Sequence, residues 1–243
     1  MNNTRQTKTF IGAMTLAAAA TAGYAAFASH TSHVYLTLAV LALAAATSRM
    51  KVKLPGIDGN MSMNLPFLLT AVVNLSIAEA AIVAAASTAV QCWPRKGARL
   101  NAHHMMFNLS MMIIASSLAS LIFHAEWLRN SQLSSATFAL VLATITLFLG
   151  QTAPVAGIIS VSEGTSAGSV WWNIAQLSFP YYVVSAGITS MVQAMSSHLG
   201  WGLALAVFPV MYGIHRSYRL YFGRLAETLQ PPVLARAAAG AGA

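Results

Sequence analysis

Apolar residues fill most of this chain in long runs, which short polar or basic stretches interrupt. A membrane-spanning helix needs about 20 mainly apolar residues at a rise of roughly 1.5 Å per residue. The hydropathy pattern therefore predicts an all-α, polytopic integral membrane helical bundle with about 7–8 membrane segments. The predicted segments are residues 10–28, 34–48, 65–74, 77–93, 105–124, 135–159, 170–195 and 199–218.

The apolar run at residues 65–93 contains an acidic residue and a helix-start signal in its middle. Ser76 stands three residues before Glu79, which is the spacing of a capping box that satisfies free N–H groups at a helix start. We therefore predict a broken or re-entrant pair of segments near residues 65–93. An acidic residue at membrane depth suggests a functional site, so Glu79 is either a plain helix cap or a ligand or proton site.

The basic residues favour the same two-segment interpretation. We place the N-terminus in the cytoplasm and count residues 65–93 as two passes. Twelve of the 13 lysines and arginines then fall on the cytoplasmic side, as the positive-inside rule requires, and only Arg129 lies outside. If residues 65–93 form a single span, the basic cluster at residues 95–99 lies outside instead. We therefore expect a bacterial inner (plasma) membrane protein with both termini in the cytoplasm.

Composition excludes a soluble globular domain. The 243 residues are 57% hydrophobic and only 7% charged, which is too little charge to cover the surface of a soluble protein of this length. The net charge of +8 lies in short clusters between apolar runs. This distribution predicts contact with the anionic lipid bilayer at the cytoplasmic face and argues against nucleic-acid binding.

The sequence carries no recognisable catalytic or metal-binding motif. The single cysteine excludes an internal disulfide, and the seven histidines show no convergent metal spacing. A phosphate-binding Walker loop, a G-x-S-x-G nucleophile elbow and an H-E-x-x-H zinc helix are all absent from the sequence. We therefore expect no enzymatic activity, no metal and no cofactor.

Four regions follow from the pattern. Residues 1–50 are predicted to form two N-terminal membrane helices, the first of which is either a retained signal anchor, as we prefer, or a cleaved signal peptide. Residues 51–64 contain two turn signals and predict an interfacial hairpin or irregular loop. Residues 65–229 are predicted to form the membrane bundle and a C-terminal cytoplasmic helix, and residues 230–243 a disordered low-complexity tail.

Helix-end signals give two further predictions. Asn64 is the N-cap candidate for the segment at residues 65–74, and Pro66 suits the first turn of that helix. Residues 151–169 are predicted to be a second irregular region, because Pro154 and three glycines interrupt the apolar run.

Polar side chains within the apolar runs are the candidate binding residues. An unpaired polar group in lipid is costly, so these side chains should face the bundle interior. Each one forms either an interhelical hydrogen bond or part of a binding cavity. Trp172 belongs either to an interfacial aromatic belt or to a ligand-stacking platform. The candidate polar cavity comprises Asn74, Glu79, Asn108, Gln151, Trp172, Asn173, Gln176 and Tyr181.

A set of short motifs is distributed over most of residues 50–229: Lys53-Leu54-Pro55-Gly56, Met61-Ser62-Met63-Asn64 before Pro66-Phe67, Gln91 before Trp93-Pro94-Arg95, Phe107-Asn108, and the stretch from Tyr218 to Leu225. Together they resemble the N-terminal multi-pass membrane sensory region of bacterial HD-GYP and GGDEF signalling proteins. The resemblance implies a membrane sensory module, here without the output domain. Because the HD metal-binding pairs and the GGDEF loop are absent, it implies no cyclic-dinucleotide activity.

These observations favour a non-enzymatic integral membrane sensory or ligand-binding module that acts through a cytoplasmic signalling partner. Arg216, Arg219 and Arg224 are the candidate contacts with that partner or with anionic lipid. One alternative is a small-molecule membrane carrier or a transporter substrate-binding subunit, because broken helices commonly line transport sites. Another is an accessory subunit of a larger membrane complex, because abundant small residues permit close helix contacts.

Overall fold

The structure, a computed structural model, describes residues 2–29, 33–53, 60–94, 101–129, 136–199 and 209–221. Its elements are α1 (Asn2–Ala28), α2 (Val34–Ser48), β1 (Lys51–Lys53), β2 (Asn60–Ser62), α3 (Leu65–Asn74), α4 (Ile77–Cys92), α5 (Ala102–Phe123), α6 (Glu126–Arg129), α7 (Ala136–Glu163) and α8 (Ala167–Leu199). Residues 209–221 are also helical and are called the C-terminal helix below. The expectation of a helical protein is confirmed for the described residues.

Three helices are long and apolar enough to cross a membrane: Arg5–Ala28, Ala102–Phe123 and Ala136–Glu163. The apolar helices α2, α3 and α4 are shorter, with 15, 10 and 16 residues. The described residues therefore contain fewer membrane-length helices than the about 7–8 segments expected from hydropathy. α2, α3 and α4 are shorter than the about 20 helical residues that a full crossing of a bilayer core requires. α8 has 33 residues but is not among the three helices that are both long and apolar enough.

The long apolar run breaks where the sequence predicts. α3 ends at Asn74, and α4 begins at Ile77 with Ser76 as its N-cap. The Ser76 hydroxyl accepts a hydrogen bond from the Glu79 N–H, and the Glu79 carboxylate accepts one from the Ser76 N–H. The predicted capping box and the two separate segments are both confirmed.

A short antiparallel hairpin joins α2 to α3. β1 and β2 pair with Val52 opposite Met61. The Ser62 hydroxyl donates a hydrogen bond of 2.9 Å to the Ser48 carbonyl, which ties the hairpin back to the end of α2. Of the two predicted alternatives for residues 51–64, a hairpin or an irregular loop, the strand pairing shows the hairpin, and its interfacial location stays a prediction. The turn residues lie outside the described part of the chain.

α3 lies at the centre of the bundle. Every residue from 65 to 73 is buried, and α3 packs against α2, α4, α5, α7 and α8. A helix that is apolar on all sides must be surrounded to be stable. With ten residues, α3 is about 15 Å long, or half of a hydrocarbon core of about 30 Å. Its ends therefore lie against other helices, which must supply partners for its terminal backbone groups.

The prediction that Asn64 caps α3 with its side chain is wrong. Asn64 occupies the N-cap position, but its side chain forms no capping hydrogen bond. Its amide instead donates to the Ser87 hydroxyl on α4, at 3.4 Å. The Phe67 N–H, which a side-chain cap would bind, donates to the Asn64 carbonyl at 3.1 Å.

The prediction of an irregular region at residues 151–169 is wrong for most of its length. α7 continues through Pro154 to Glu163, and α8 begins at Ala167. Proline is tolerated inside membrane helices because neighbouring groups satisfy the carbonyl that it frees. The irregular part is confined to residues 164–166, where Gly164 has a φ of 71° and ends α7 in the left-handed conformation that glycine favours.

Gly150 permits the close approach of α5 and α7. A Cβ added at Gly150 would lie 2.8 Å from the Cβ and 3.2 Å from the Cα of Ala115. We expect Gly150→Ala to lower the free energy of unfolding by about 1–3 kcal/mol, because an overpacked contact must push the two helices apart. Chemical unfolding in detergent micelles, followed by circular dichroism, measures this loss.

Gly187→Ala on α8 is the matched control for that substitution. No described atom lies within 4 Å of a Cβ added at Gly187. Alanine exceeds glycine in helix propensity by about 1 kcal/mol, so this variant should be neutral or slightly more stable than the wild type. Equal losses of stability in the two variants would contradict the close packing of Gly150 against Ala115.

Candidate functional site

Glu79 links the α1–α2 connection to the α3–α4 connection at one end of the bundle. This end is called the glutamate end and is defined by Ser29, His33, Ser76 and Glu79. Its Oε1 accepts hydrogen bonds from the His33 N–H at 2.7 Å and from the Thr37 hydroxyl at 2.9 Å. Its Oε2 accepts from the Ser76 N–H at 3.0 Å and from the Ser76 hydroxyl at 2.8 Å. These donors match the four acceptor sites of an ionised carboxylate, and the side chain is only 8% exposed.

The Glu79 carboxylate thus connects the first turn of α4 to the start of α2. Ser29 adds a second connection, because its hydroxyl accepts the N–H of Ala78 at 3.1 Å. The interpretation of Glu79 as a helix cap is confirmed, and the structure adds its contacts with the α1–α2 connection. Among the described residues, protein donors occupy every acceptor position of this carboxylate, so it offers no open position for a ligand.

Side chains from other elements lie against both ends of α3. The Tyr181 hydroxyl on α8 accepts a hydrogen bond from the Leu65 N–H at 3.2 Å, at the start of α3. At the other end, the His124 Nε2 lies 3.1 Å from the Val72 carbonyl oxygen, within hydrogen-bonding distance. Helix ends leave N–H and C=O groups without intrahelical partners, and such groups are costly in an apolar interior. Tyr181 and His124 therefore stabilise the buried position of α3.

Tyr181 also contacts the C-terminal helix. Its ring centroid lies 6.4 Å from that of Tyr218, in an edge-to-face arrangement. The side chain is 2% exposed. A single buried tyrosine on α8 therefore contacts both the start of α3 and the C-terminal helix.

A cavity of about 180 Å³ lies near the Asn74 end of α3, away from Tyr181 and beside the glutamate end. Its buried floor is formed by Val73, Leu140 and Thr189, and the side chains at its mouth are exposed. All the lining residues are uncharged: Val73, Phe123, Ala136, Thr137, Leu140, Thr189, Ser190, Gln193 and Ala194. The cavity therefore combines an apolar interior with hydroxyl and amide groups.

Known proteins offer no identification. Comparisons of the chain with protein families, with curated proteins and with solved structures find no match. The chemistry of the described residues is therefore the basis for any functional conclusion.

None of the predicted polar-cavity residues lines the 180 Å³ cavity. Asn74 donates to a carbonyl of its own helix. The Asn108 amide nitrogen lies 3.5 Å from the Cys92 sulfur, and the Gln151 side-chain oxygen accepts a hydrogen bond of 2.7 Å from the Tyr182 hydroxyl. These polar groups form hydrogen bonds within and between helices.

The four predicted cavity residues on α8 differ in their exposure. Trp172, Asn173 and Gln176 are exposed on α8, whereas Tyr181 is buried against α3. Tryptophan is enriched at membrane interfaces, so the assignment of Trp172 to an aromatic belt or to a stacking platform stays a prediction. Sequence pattern alone does not reveal the rotation of α8, which decides that Tyr181 points inward.

Arg216 and Arg219 are exposed on the C-terminal helix, as a contact surface requires. Arg224 and the predicted tail at residues 230–243 lie outside the described residues. Within the described residues, no group of three or more histidine, cysteine, aspartate or glutamate side chains could hold a metal ion. The proposed contact of the arginines with a partner or with lipid stays a prediction.

Sequence reasoning missed several residues that organise the site, namely Thr37, His124 and Thr189. The Thr37 and His124 contacts with Glu79 and Val72 span 42 and 52 positions. The Thr189 hydroxyl lies 3.3 Å from the Pro66 carbonyl, 123 positions away. No local spacing signals such contacts, because only the packing of the helices brings the partners together.

Proposed function

We propose that this chain is a non-enzymatic integral membrane sensory or ligand-binding module that acts through a cytoplasmic partner. The observation that carries the proposal is the position of α3 between the cavity and Tyr181. Val73 near one end of α3 lines the cavity, and Leu65 at the other end donates to Tyr181. Tyr181 in turn contacts Tyr218 on the C-terminal helix. A ligand in the cavity would therefore contact the same short helix that Tyr181 links to the C-terminal helix.

The proposal places both termini in the cytoplasm and the glutamate end outside a bacterial inner membrane. The connections at the glutamate end, residues 29–33 and 75–76, contain no lysine or arginine. Basic residues accumulate on the cytoplasmic side of membrane proteins, which supports this orientation. We propose eight membrane segments (α1, α2, α3, α4, α5, α7, α8 and the C-terminal helix), in which neighbouring helices shield the short broken pair α3 and α4 from lipid.

The resemblance of the short motifs to the membrane region of HD-GYP and GGDEF proteins supports a sensory role. The exposed Arg216 and Arg219 support a contact at the cytoplasmic face. Arginine forms planar, bidentate hydrogen bonds with carboxylates, so an acidic protein surface is the partner that this pair would recognise. Anionic lipid also attracts arginine, and the experiment must separate the two.

Photo-crosslinking from the C-terminal helix tests the proposed partner. A photoreactive amino acid at Leu220, which is 58% exposed, should form a discrete adduct with one cytoplasmic protein in intact cells. Combining it with Arg216→Lys and Arg219→Lys should reduce the adduct by about tenfold, because lysine keeps the charge but loses the bidentate geometry. Mass spectrometry identifies the adduct.

The same photoreactive amino acid at Val183, which is 53% exposed on α8, is the matched control. It should crosslink to lipid and form no adduct with the cytoplasmic protein. If the Leu220 position forms adducts with lipid alone, the exposed face of the C-terminal helix contacts no cytoplasmic protein and the proposed mode of signalling is wrong. A membrane-protein adduct from Val183 would indicate an accessory subunit of a larger complex instead.

A small-molecule carrier is the second candidate function. The cavity residue Val73 lies next to the α3–α4 break, and interrupted helices line the substrate sites of many transporters. Uptake of labelled solutes into vesicles that contain the purified chain alone would favour this function. Absence of uptake, together with a Leu220 adduct, would favour the sensory module.

A further inference from the structure

We infer that the cavity beside the glutamate end binds an uncharged small molecule about the size of one aromatic ring, with a hydrogen-bond donor that points to Thr189. This molecule would be the ligand of the proposed sensory module, so the biological role of its binding rests on the proposed function. The chemistry of the cavity itself rests on the lining residues, so binding and signalling can be tested separately.

The volume of the cavity limits the size of the ligand. It measures about 180 Å³. An apolar protein cavity of about 150 Å³ is large enough to hold benzene. The cavity therefore accommodates one ring with a short substituent, and it is smaller than the pockets of about 300–1,000 Å³ that hold drug-sized ligands. A nucleotide or a peptide would be too large.

The lining determines the charge of the ligand. Five lining residues are apolar or aromatic, and the other four carry only hydroxyl or amide groups. An ion that leaves water for such a cavity loses its hydration without gaining a counter-charge, which is strongly unfavourable. The Glu79 carboxylate is not among the lining residues and accepts four hydrogen bonds from its own surroundings. The site therefore favours a neutral molecule.

Thr189 indicates where the polar group of the ligand binds. It lies on the buried floor, and its hydroxyl proton is shared between the Ser185 carbonyl at 2.9 Å and the Pro66 carbonyl at 3.3 Å. A hydroxyl has one donor and two acceptor positions, so with its proton committed the Thr189 oxygen can still accept. The matching ligand group is a donor such as an alcohol. At the mouth, the exposed Thr137 can meet further polar groups or water.

The mouth of the cavity indicates the route of entry. Ala136 and Thr137 begin α7, while Gln193 and Ala194 lie near the end of α8. All four are exposed, in contrast to the floor. In the proposed orientation this opening lies at the outer face of the membrane, so the ligand would reach the cavity without crossing the bilayer.

The probe for this inference is 4-fluorobenzyl alcohol, which has one ring and one hydroxyl donor. Fluorine NMR of the full chain in phosphatidylcholine nanodiscs should show saturable binding with a dissociation constant on the order of 1 mM or below. The isosteric 4-fluorobenzoate and protonated 4-fluorobenzylamine should bind at least about tenfold more weakly, because each must be desolvated without a counter-charge. Empty nanodiscs give the background from partitioning into lipid.

Ala136→Phe fills the mouth and should weaken binding of 4-fluorobenzyl alcohol by at least about tenfold. Val141→Phe on the same helix is the matched control, because Val141 is 45% exposed and does not line the cavity. It should bind like the wild type. If Ala136→Phe does not fold, Ala194→Phe fills the cavity from the opposite wall and takes its place.

Several results would overturn the inference. They are the absence of saturable binding, equal binding by the charged isosteres, and unchanged binding in the filled variants. Mass spectrometry that finds a lipid retained by the wild type and lost from Ala136→Phe would identify an acyl chain as the occupant. Probe binding without a Leu220 adduct would refute the signalling proposal alone, whereas an adduct without probe binding would refute the ligand class alone.

Discussion

Replacing Glu79 with alanine is expected to lower the free energy of unfolding by about 3–5 kcal/mol. The substitution removes the acceptor for the N–H groups of His33 and Ser76 and for the hydroxyls of Thr37 and Ser76. A fully buried donor without a partner costs about 1–3 kcal/mol, and loss of a helix cap costs about 0.5–2 kcal/mol. These hydrogen bonds are part-buried, so each lost partner costs an amount near the lower end of that range. Relaxation of the two connections and reorientation of the hydroxyls keep the total below the sum of these costs.

Chemical unfolding in mixed micelles, followed by tryptophan fluorescence, measures the Glu79→Ala effect. Glu163→Ala is the matched control, because Glu163 is exposed at the end of α7 and should change stability by less than about 0.5 kcal/mol. Glu79→Gln should lower the free energy of unfolding by an intermediate amount. Its amide oxygen still accepts hydrogen bonds, but its NH₂ group cannot accept from the two donors that it faces. Similar losses for Glu79→Ala and Glu163→Ala would mean that the carboxylate does not hold the glutamate end together.

Replacing Tyr181 is expected to have the second large effect. Tyr181→Phe removes the acceptor for the Leu65 N–H and should cost about 1–2 kcal/mol. Tyr181→Ala also removes a fully packed ring and should cost about 3–5 kcal/mol. The difference between the two variants separates the contribution of the hydroxyl from that of the ring.

Tyr212, which is 53% exposed on the C-terminal helix, supplies the controls Tyr212→Phe and Tyr212→Ala. Both should change the free energy of unfolding by less than about 0.5 kcal/mol. Tyr181→Phe should also reduce the yield of the Leu220 adduct. The variant loses the hydrogen bond that joins residue 181 to α3, while residue 181 also contacts the C-terminal helix. A normal adduct at reduced stability would show that Tyr181 acts only in folding.

The success of the capping-box prediction and the failure of the asparagine-cap prediction have one physical cause. Ser76 and Glu79 are three residues apart, so their hydrogen bonds form within a single helical turn and leave a signature in the sequence. The start of α3 is different, because Tyr181 lies 116 positions from Leu65. The Asn64 amide donates to Ser87 on α4, 23 positions away, and no local spacing reveals that partner.

The second predicted break failed for a related reason. Pro154 and Gly157 lower the intrinsic tendency of the segment to form a helix, yet α7 passes through both. Packing provides part of the compensation, since a Cβ added at Gly157 would lie 3.4 Å from the ring of Phe10 on α1. Local propensity is a weak predictor where neighbouring helices surround a segment, and the actual turn occurs at Gly164.

The sequence by itself determined that the chain is helical and strongly apolar, where the long apolar run breaks, and where the hairpin lies. These features depend on hydropathy and on contacts between near neighbours in the chain. Only the tertiary structure decided that Glu79 binds the α1–α2 connection, that Tyr181 faces α3, and that uncharged residues form a cavity. Each of these depends on how helices rotate and pack against one another, and residues far apart in sequence determine that packing together.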